Sequence, residues 1–216
     1  MEEDGIELNF PAATRTRETA DLFLQLIVHI LEANGRAAIV LPDGTLFGEG
    51  VKTKIKEKLL AECNLHTIVR LPNSVFAPYT SIKTNILFFE KGTPTKSIWY
   101  YEVPLPTGVK AFNKTKPMKL EQFDDCAQWW GEGESRQEKQ LRNNRQANEQ
   151  AWLVTIDEIK ARNYNLDIKN PHEEDQVSHD PDELLATYDQ QQGEIQQLRD
   201  QLKDILAAAL AGGAKE

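Results

Sequence analysis

No stretch of this 216-residue chain is long and apolar enough to cross a bilayer. The most apolar segment, residues 22–31, falls short of the ~20 residues that a spanning helix needs. The N-terminus opens with Glu2, Glu3 and Asp4, where a secretory signal would carry basic residues. Cysteine is scarce: Cys63 and Cys126 lie far apart and match no metal-ligand spacing, which predicts two reduced thiols in a cytoplasmic protein. The four histidines are scattered, with no H-x-x-x-H pair, so no metal site is expected. Basic residues are outnumbered, 25 Lys and Arg against 34 Asp and Glu, for a net charge of −9. That balance argues against a protein that coats nucleic acid nonspecifically. It leaves room for DNA contact through a local basic patch or through a partner. There is no G-x-G-x-x-G, no P-loop and no Ser-His-Asp order to suggest a reaction. What is present, 40% apolar and 27% charged residues, describes a globular chain with a membrane-free life.

The hydrophobic pattern organises the first hundred residues. Residues 1–18 are polar and read as loop. Leu22, Phe23, Leu26, Ile27, Ile30 and Leu31 recur at helical spacing, with Thr19 as the cap and Asn34-Gly35 as the stop. Ala37-Ala38-Ile39-Val40-Leu41 is a continuous apolar run closed by Pro42-Asp43-Gly44, the pattern of a strand buried on both faces. A second amphipathic helix is expected over residues 54–63, with Ile55, Leu59 and Leu60 inward and the lysines at 52, 54, 56 and 58 on a solvated face. Strands are expected at 66–71, 82–90 and 97–103. Helix, strand, helix, then three strands is the order of part of a doubly wound α/β sheet that ends in a hairpin-like antiparallel section. Residues 121–150 are polar and read as loop, and residues 154–168 as one short helix followed by a turn. Trp129 and Trp130 read either as a local hydrophobic clamp or as a partner anchor.

The C-terminal pattern is of a different kind. Asp180-Pro181 opens a helix with Asp182 and Glu183 at its positive end. Leu184, Tyr188, Gln191, Ile195, Leu198, Leu202, Ile205 and Ala209 then follow at alternating steps of 4 and 3. This heptad seam wants another helix, either in a partner or on its own domain.

Several stretches taken in order carry a family resemblance. Gly35-Arg36-Ala37-Ala38-Ile39-Val40-Leu41-Pro42-Asp43, Val69-Arg70-Leu71-Pro72 with Val75-Phe76, and Lys83-Thr84-Asn85-Ile86-Leu87-Phe88-Phe89 resemble the later motifs of adenine-N6 DNA methyltransferases. Together with residues 159–168, they look like the C-terminal half of the modification subunit of a type I restriction-modification system. The resemblance implies the later strands of an S-adenosylmethionine-dependent methyltransferase sheet. It divides the chain into residues 1–104, the end of the methyltransferase α/β domain; 105–170, a polar, irregular extension with a short helix; and 171–216, a linker and the heptad-patterned helix. The family binds S-adenosylmethionine at a glycine-rich turn and performs chemistry with an Asn-Pro-Pro-Phe tetrapeptide. Neither occurs here, so Met1 is expected to correspond to a position inside the full subunit. The chain alone is expected to hold no catalytic residue and to bind no cofactor.

The resemblance also implies roles. Phe76 matches the place of the aromatic residue on which a flipped-out adenine stacks; otherwise it is a core phenylalanine, and Tyr79 is a weaker candidate. Pro42, Asp43 and Pro72 would wall the base pocket, although Pro-Asp-Gly is also an ordinary turn. Arg15 and Arg17 would reach a DNA phosphate or else sit in a solvated loop. Leu184, Tyr188, Ile195, Leu198, Leu202 and Ile205 would dock on the specificity subunit, through which DNA is read. The restriction subunit is a further candidate partner in that assembly. The alternative is a non-enzymatic assembly fragment that binds a partner through its helix. The family arrangement also implies that strand 82–90 inserts between strands 36–41 and 66–71. Strand 36–41 would then be an apolar sheet edge prone to self-association.

Overall fold

A computed structural model describes residues 5–131, 144–172, 188, 191–193 and 195–203. Two compact units divide the chain between Glu173 and Glu174. The first holds a five-stranded mixed sheet in the order β1-β3-β2-β4-β5. Its strands are β1 (Arg36–Pro42), β2 (Cys63–Arg70), β3 (Thr84–Lys91), β4 (Ser97–Glu102) and β5 (Ala151–Thr155). β3 runs antiparallel between β1 and β2, β4 lies parallel to β2 on its other side, and β5 closes that side antiparallel to β4. The expected insertion of the third strand between the first two is therefore present.

Two features of the sheet differ from the sequence reading. β3 and β4 do not form a hairpin: the chain crosses past the start of β2 before β4 begins. Thr95 pins that crossing, its hydroxyl donating to Cys63 O at 2.7 Å and accepting from Leu65 N at 2.8 Å. The region read as loop and short helix also contributes a strand, β5, ahead of the helix. Ala151-Trp152-Leu153-Val154-Thr155 alternates in burial, but its short length and polar flanks hid it.

One face of the sheet carries the larger core. Helices α1 (Thr19–Ile30) and α3 (Val51–Glu62) lie on it, and α5 (Ile156–Ala161) follows β5 onto the same side. Leu24 and Val28 from α1 meet Ile55 and Leu59 from α3, above Leu87 and Phe89 of β3 and Ile68 of β2. Lys91 at the end of β3 donates to Val28 O at 2.7 Å, placing a cation at the C-terminus of α1. On α5, Thr155 and Glu158 form a reciprocal capping box.

Among the described residues, the opposite face is covered only in part. Helix α4 (Asp124–Trp130) lays Cys126, Trp129 and Trp130 over Val69, Tyr101 and Ala151. The Arg145 guanidinium sits 4.8 Å and 4.2 Å from the two indole centroids and donates to Thr67 Oγ1 at 2.9 Å. The tryptophans are thus a local clamp, with the cation–π geometry that such pairs favour.

Among the described residues, the sheet beside this clamp is open: β1 is an edge strand with Arg36, Ala38 and Val40 exposed and Ala37 and Ile39 half-buried, so it is not buried on both faces. α1 is apolar on two sides. The stripe Asp21, Leu24, Gln25 and Val28 faces inward, while Phe23, Leu26 and Ile30 are 56%, 41% and 66% exposed. Periodicity identified this helix but could not choose between its two apolar faces.

In the second unit, residues 188, 191–193 and 195–203 are helical. Tyr188, Ile195, Leu198 and Leu202 are all exposed there, whereas Leu184 and Ile205 lie outside the described residues.

An apolar edge strand with free backbone groups templates pairing with a second copy. The isolated chain is expected to run larger than a monomer in size-exclusion chromatography with light scattering, with Val40→Lys shifting it toward monomer. A monodisperse wild-type monomer that unfolds cooperatively and reversibly contradicts this.

Candidate functional site

β1 and β2 point the same way, so their carboxyl ends meet at one edge of the sheet, with the start of β3 between them. Pro42 pairs with Thr84, and Leu71 N donates to Thr84 O at 3.0 Å from the other side. At ~4.8 Å per strand spacing, Pro42 and Leu71 stand ~10 Å apart across β3. This places the segment after β1, with Pro42 and Asp43, opposite the loop after β2, with Pro72 and Phe76.

Asp43 is not in an ordinary turn. It opens a short helix, α2 (Asp43–Phe47), with Pro42 before it. Its backbone N–H donates to Lys83 O at 3.1 Å, and its carboxylate accepts from Asn85 Nδ2 at 2.5 Å. Asn85 is 1% exposed, so this bond ties α2 to β3 inside the protein. The sequence reading gave Asn85 no role. The clue was an amide in an otherwise apolar strand, since a buried amide needs a partner.

The loop after β2 is anchored by Val75, which packs under the sheet against the Val69 cluster. Phe76, beside it, is 42% exposed and Tyr79 is 93% exposed. Phe76 is therefore not a core phenylalanine: Val75 does the anchoring. At the root of the loop, Arg70 is nearly buried. It donates to Ile168 O at 2.7 Å and pairs with Asp167 at 2.8 Å, fixing the end of β2 against residues 166–168. Arg15 donates to Phe10 O at 3.4 Å, and the largely exposed Arg17 lies 3.6 Å from Glu7. Both stand in the N-terminal segment, and exposed ion pairs of this kind contribute little stability.

Behind the site, two lysines depart from the expected solvated face. Asp21 is fully buried, and its carboxylate accepts from Thr45 Oγ1 at 3.1 Å and pairs with Lys52 at 2.8 Å. Lys56, 1% exposed, donates to Leu46 O at 2.6 Å and Gly48 O at 2.8 Å, the carbonyls at the end of α2. Burial pulls the Lys56 ammonium down to about 8, opposed by the nearby Asp21 carboxylate. A lysine among alternating lysines offered no sign that one of them turns inward.

Neither cysteine is an activated nucleophile. Burial pushes the Cys63 and Cys126 thiols up to about 11, so both are neutral and unreactive at pH 7. Tyr100 is pushed further up by burial and donates to Leu166 O at 3.0 Å. No cluster of His, Cys, Asp and Glu among the described residues is arranged to hold a metal. No helix among them is long and apolar enough to cross a membrane.

Comparison with known proteins gives the family. Residues 3–180 match the N-6 DNA Methylase family model. The chain belongs to the N-6 DNA methylase family. It is 66% identical to the type I restriction enzyme EcoEI methylase subunit of Escherichia coli, over 98% of this chain and 42% of that protein. It is 39% identical to the EcoKI methylase subunit of the same species, over 51% of this chain and 22% of that protein. Among solved structures, it is similar to a modification subunit of a putative type I restriction enzyme from Vibrio vulnificus, with a TM-score of 0.69 and 46% identity over 79% of this chain and 36% of that one. A chain from a structural study of assembly and conformational transition in the type I R-M system matches with a TM-score of 0.72 and 36% identity, over 95% of this chain and 42% of the other. This N-6 DNA methylase chain thus spans less than half the length of these relatives.

Lys56 gives the site a measurable pH signature. Its folded value lies below its unfolded one, so protonation is penalised in the folded state. Stability is regained as pH rises from about 8 to 10.5, where only the unfolded chain still binds the proton. The urea-unfolding free energy of wild type relative to Lys56→Met should rise across that window by ~1–3 kcal/mol. A flat difference would remove the buried ammonium from the account.

Proposed function

We propose that this chain is part of a type I restriction-modification DNA methyltransferase that transfers a methyl group from S-adenosylmethionine to adenine N6 within a specific DNA site. Its own contribution is the far wall of the target-base pocket and a docking helix. The observation that carries this reading is the pairing of Asp43 and the Phe76 loop on either side of β3, with Phe76 exposed. An adenine inside a duplex cannot be methylated at N6 without leaving the stack, and the extruded base needs an aromatic face. Phe76 supplies that face, worth ~1–3 kcal/mol by analogy with single-strand stacking. Pro42, Asp43 and Pro72 shape the surrounding wall. Asp43 is a positioning residue there, because its carboxylate is engaged by Asn85. Arg15 and Arg17 are candidates for a phosphate contact.

S-adenosylmethionine supplies the methyl group to the parent enzyme. The described residues do not fit it. The three parallel strands run into prolines at their carboxyl ends, Pro42, Pro72 and Pro104, and the glycines that follow β1, Gly44, Gly48 and Gly50, are separated by the short helix α2 and do not form one turn. The chain alone is therefore inactive. Orienting and charge-stabilising groups must stand at the reacting nitrogen, and the sequence contains no Asn-Pro-Pro-Phe. A radiolabelled methyl-transfer assay on adenine-containing duplex DNA is expected to give no turnover with this chain alone. Measurable turnover would overturn the division of labour.

The specificity subunit is the proposed partner of the C-terminal helix, and it carries the contact to DNA that the acidic charge of this chain disfavours. The restriction subunit joins through that complex. Exposed Ile195, Leu198 and Leu202 support the reading, since an isolated helix with an apolar seam is only marginally stable in water. Each leucine truncated in a buried seam costs ~2–5 kcal/mol. A pull-down with the cognate specificity subunit should therefore lose the Leu198→Ala/Leu202→Ala double mutant and retain a charge change at Arg199. Equal capture of double mutant and wild type would sink the docking.

A further inference from the structure

β2 and β4 are adjacent and parallel, and the chain leaves their carboxyl ends in opposite directions. From β2 it turns back into β3 on one side; from β4 it travels to α4 and then β5 on the other. Diverging connections of this kind open a crevice beyond the strand ends, the usual place for a ligand in open α/β sheets. Here the crevice is a cleft of about 440 Å³. It is separate from the exposed Phe76 ring, which does not line it.

The lining is chemically selective. Leu71, Pro72 and Val103 contribute an apolar floor made rigid by proline. Four titratable residues from four segments line it: Lys83 before β3, Glu102 at the end of β4, Glu149 before β5 and His172 past α5. No side-chain hydrogen bond or ion pair within the described chain engages any of the four. Asn170 is fixed beside them, its amide donating to Glu149 O at 2.7 Å. Two carboxylates repel a bare phosphate at this position, and a peptide strand would need an open sheet edge, which neither β2 nor β4 offers. A flat ring whose exocyclic amino group donates to carboxylates, with an attached phosphate at the lysine rim, matches floor and rim together.

We propose that this cleft is a second base-binding subsite, taking a cytosine or adenine, whose amino group lies on the major-groove edge, near the methylated adenine. The subsite rests on the reading of this chain as a wall of a DNA methyltransferase. The flipped adenine stacks on Phe76, while a neighbouring cytosine or adenine places its amino group against Glu102 and Glu149. Lys83 meets the phosphate of that same nucleotide. The subsite adds a preference at a flanking position that the chain itself imposes.

The test is titration of the isotope-labelled chain with dCMP, dAMP, dTMP and inorganic phosphate, following backbone amide resonances. dCMP and dAMP should shift residues 102, 103, 149 and 150 saturably, with dTMP at least about fivefold weaker. Glu102→Gln, a side chain at the protein surface, should erase that preference while leaving the other resonances in place. Absence of nucleotide shifts, equal shifts with inorganic phosphate or dTMP, or shifts confined to residues 76–79 would overturn the proposal. Failure of the methyltransferase reading shows separately, as a lack of methyl transfer by the assembled complex with these shifts intact.

Discussion

The antiparallel insertion of β3 between two parallel strands is the constraint on which the site depends. Parallel β1 and β2 deliver two loops to one sheet edge, but without β3 nothing would hold them at a fixed spacing. Thr84 and Asn85 do so from the middle, by backbone bonds on both sides and by the Asn85 amide on Asp43. The sheet ladder thus sets the width of the site, and side chains need only furnish its walls. An exposed Phe76 is tolerable because neighbouring Val75 anchors the loop.

Buried charge provides a second layer of constraint. Asp21 with Lys52 and Arg70 with Asp167 join segments distant in sequence, and Lys56 with two carbonyls of the α2 end ties α3 to the helix just before it. Such groups are costly to desolvate, and removing one partner strands the other. Their common feature is location: all brace α2 or the end of β2 from behind. The site edge is held by polar bonds that tolerate little shift, over a core that is otherwise ordinary aliphatic packing.

Strand-like runs ending in proline made β1 and β2 legible from sequence, and only the family resemblance implied β3 between them. The inward turn of Lys56 was not legible, because alternating lysines have no period that distinguishes one face from another. The exposure of Phe23, Leu26 and Ile30 was hidden for the converse reason: apolar residues surround α1, and which side finds a partner depends on the rest of the fold. β5 was missed because a five-residue strand beside a capping box looks like the approach to a helix. At the site, aromatic chemistry singled out Phe76, whereas the role of Asn85 depends on a partner 42 positions away.

Two features of the sheet unit are exposed and apolar, the β1 edge and the second side of α1, and the second unit has exposed seam residues of its own. The chain spans less than half the length of the related methylase subunits. The claim on which the functional account stands is that the carboxyl ends of β1 and β2 face the target base. Photo-crosslinking tests it directly, with 5-iodouracil placed at the target-adenine position of a duplex bound to the assembled methylase and specificity subunits. Mass spectrometry of the adduct should place the crosslink in the Phe76 loop or at the start of α2. A crosslink found only outside these two segments would contradict the account.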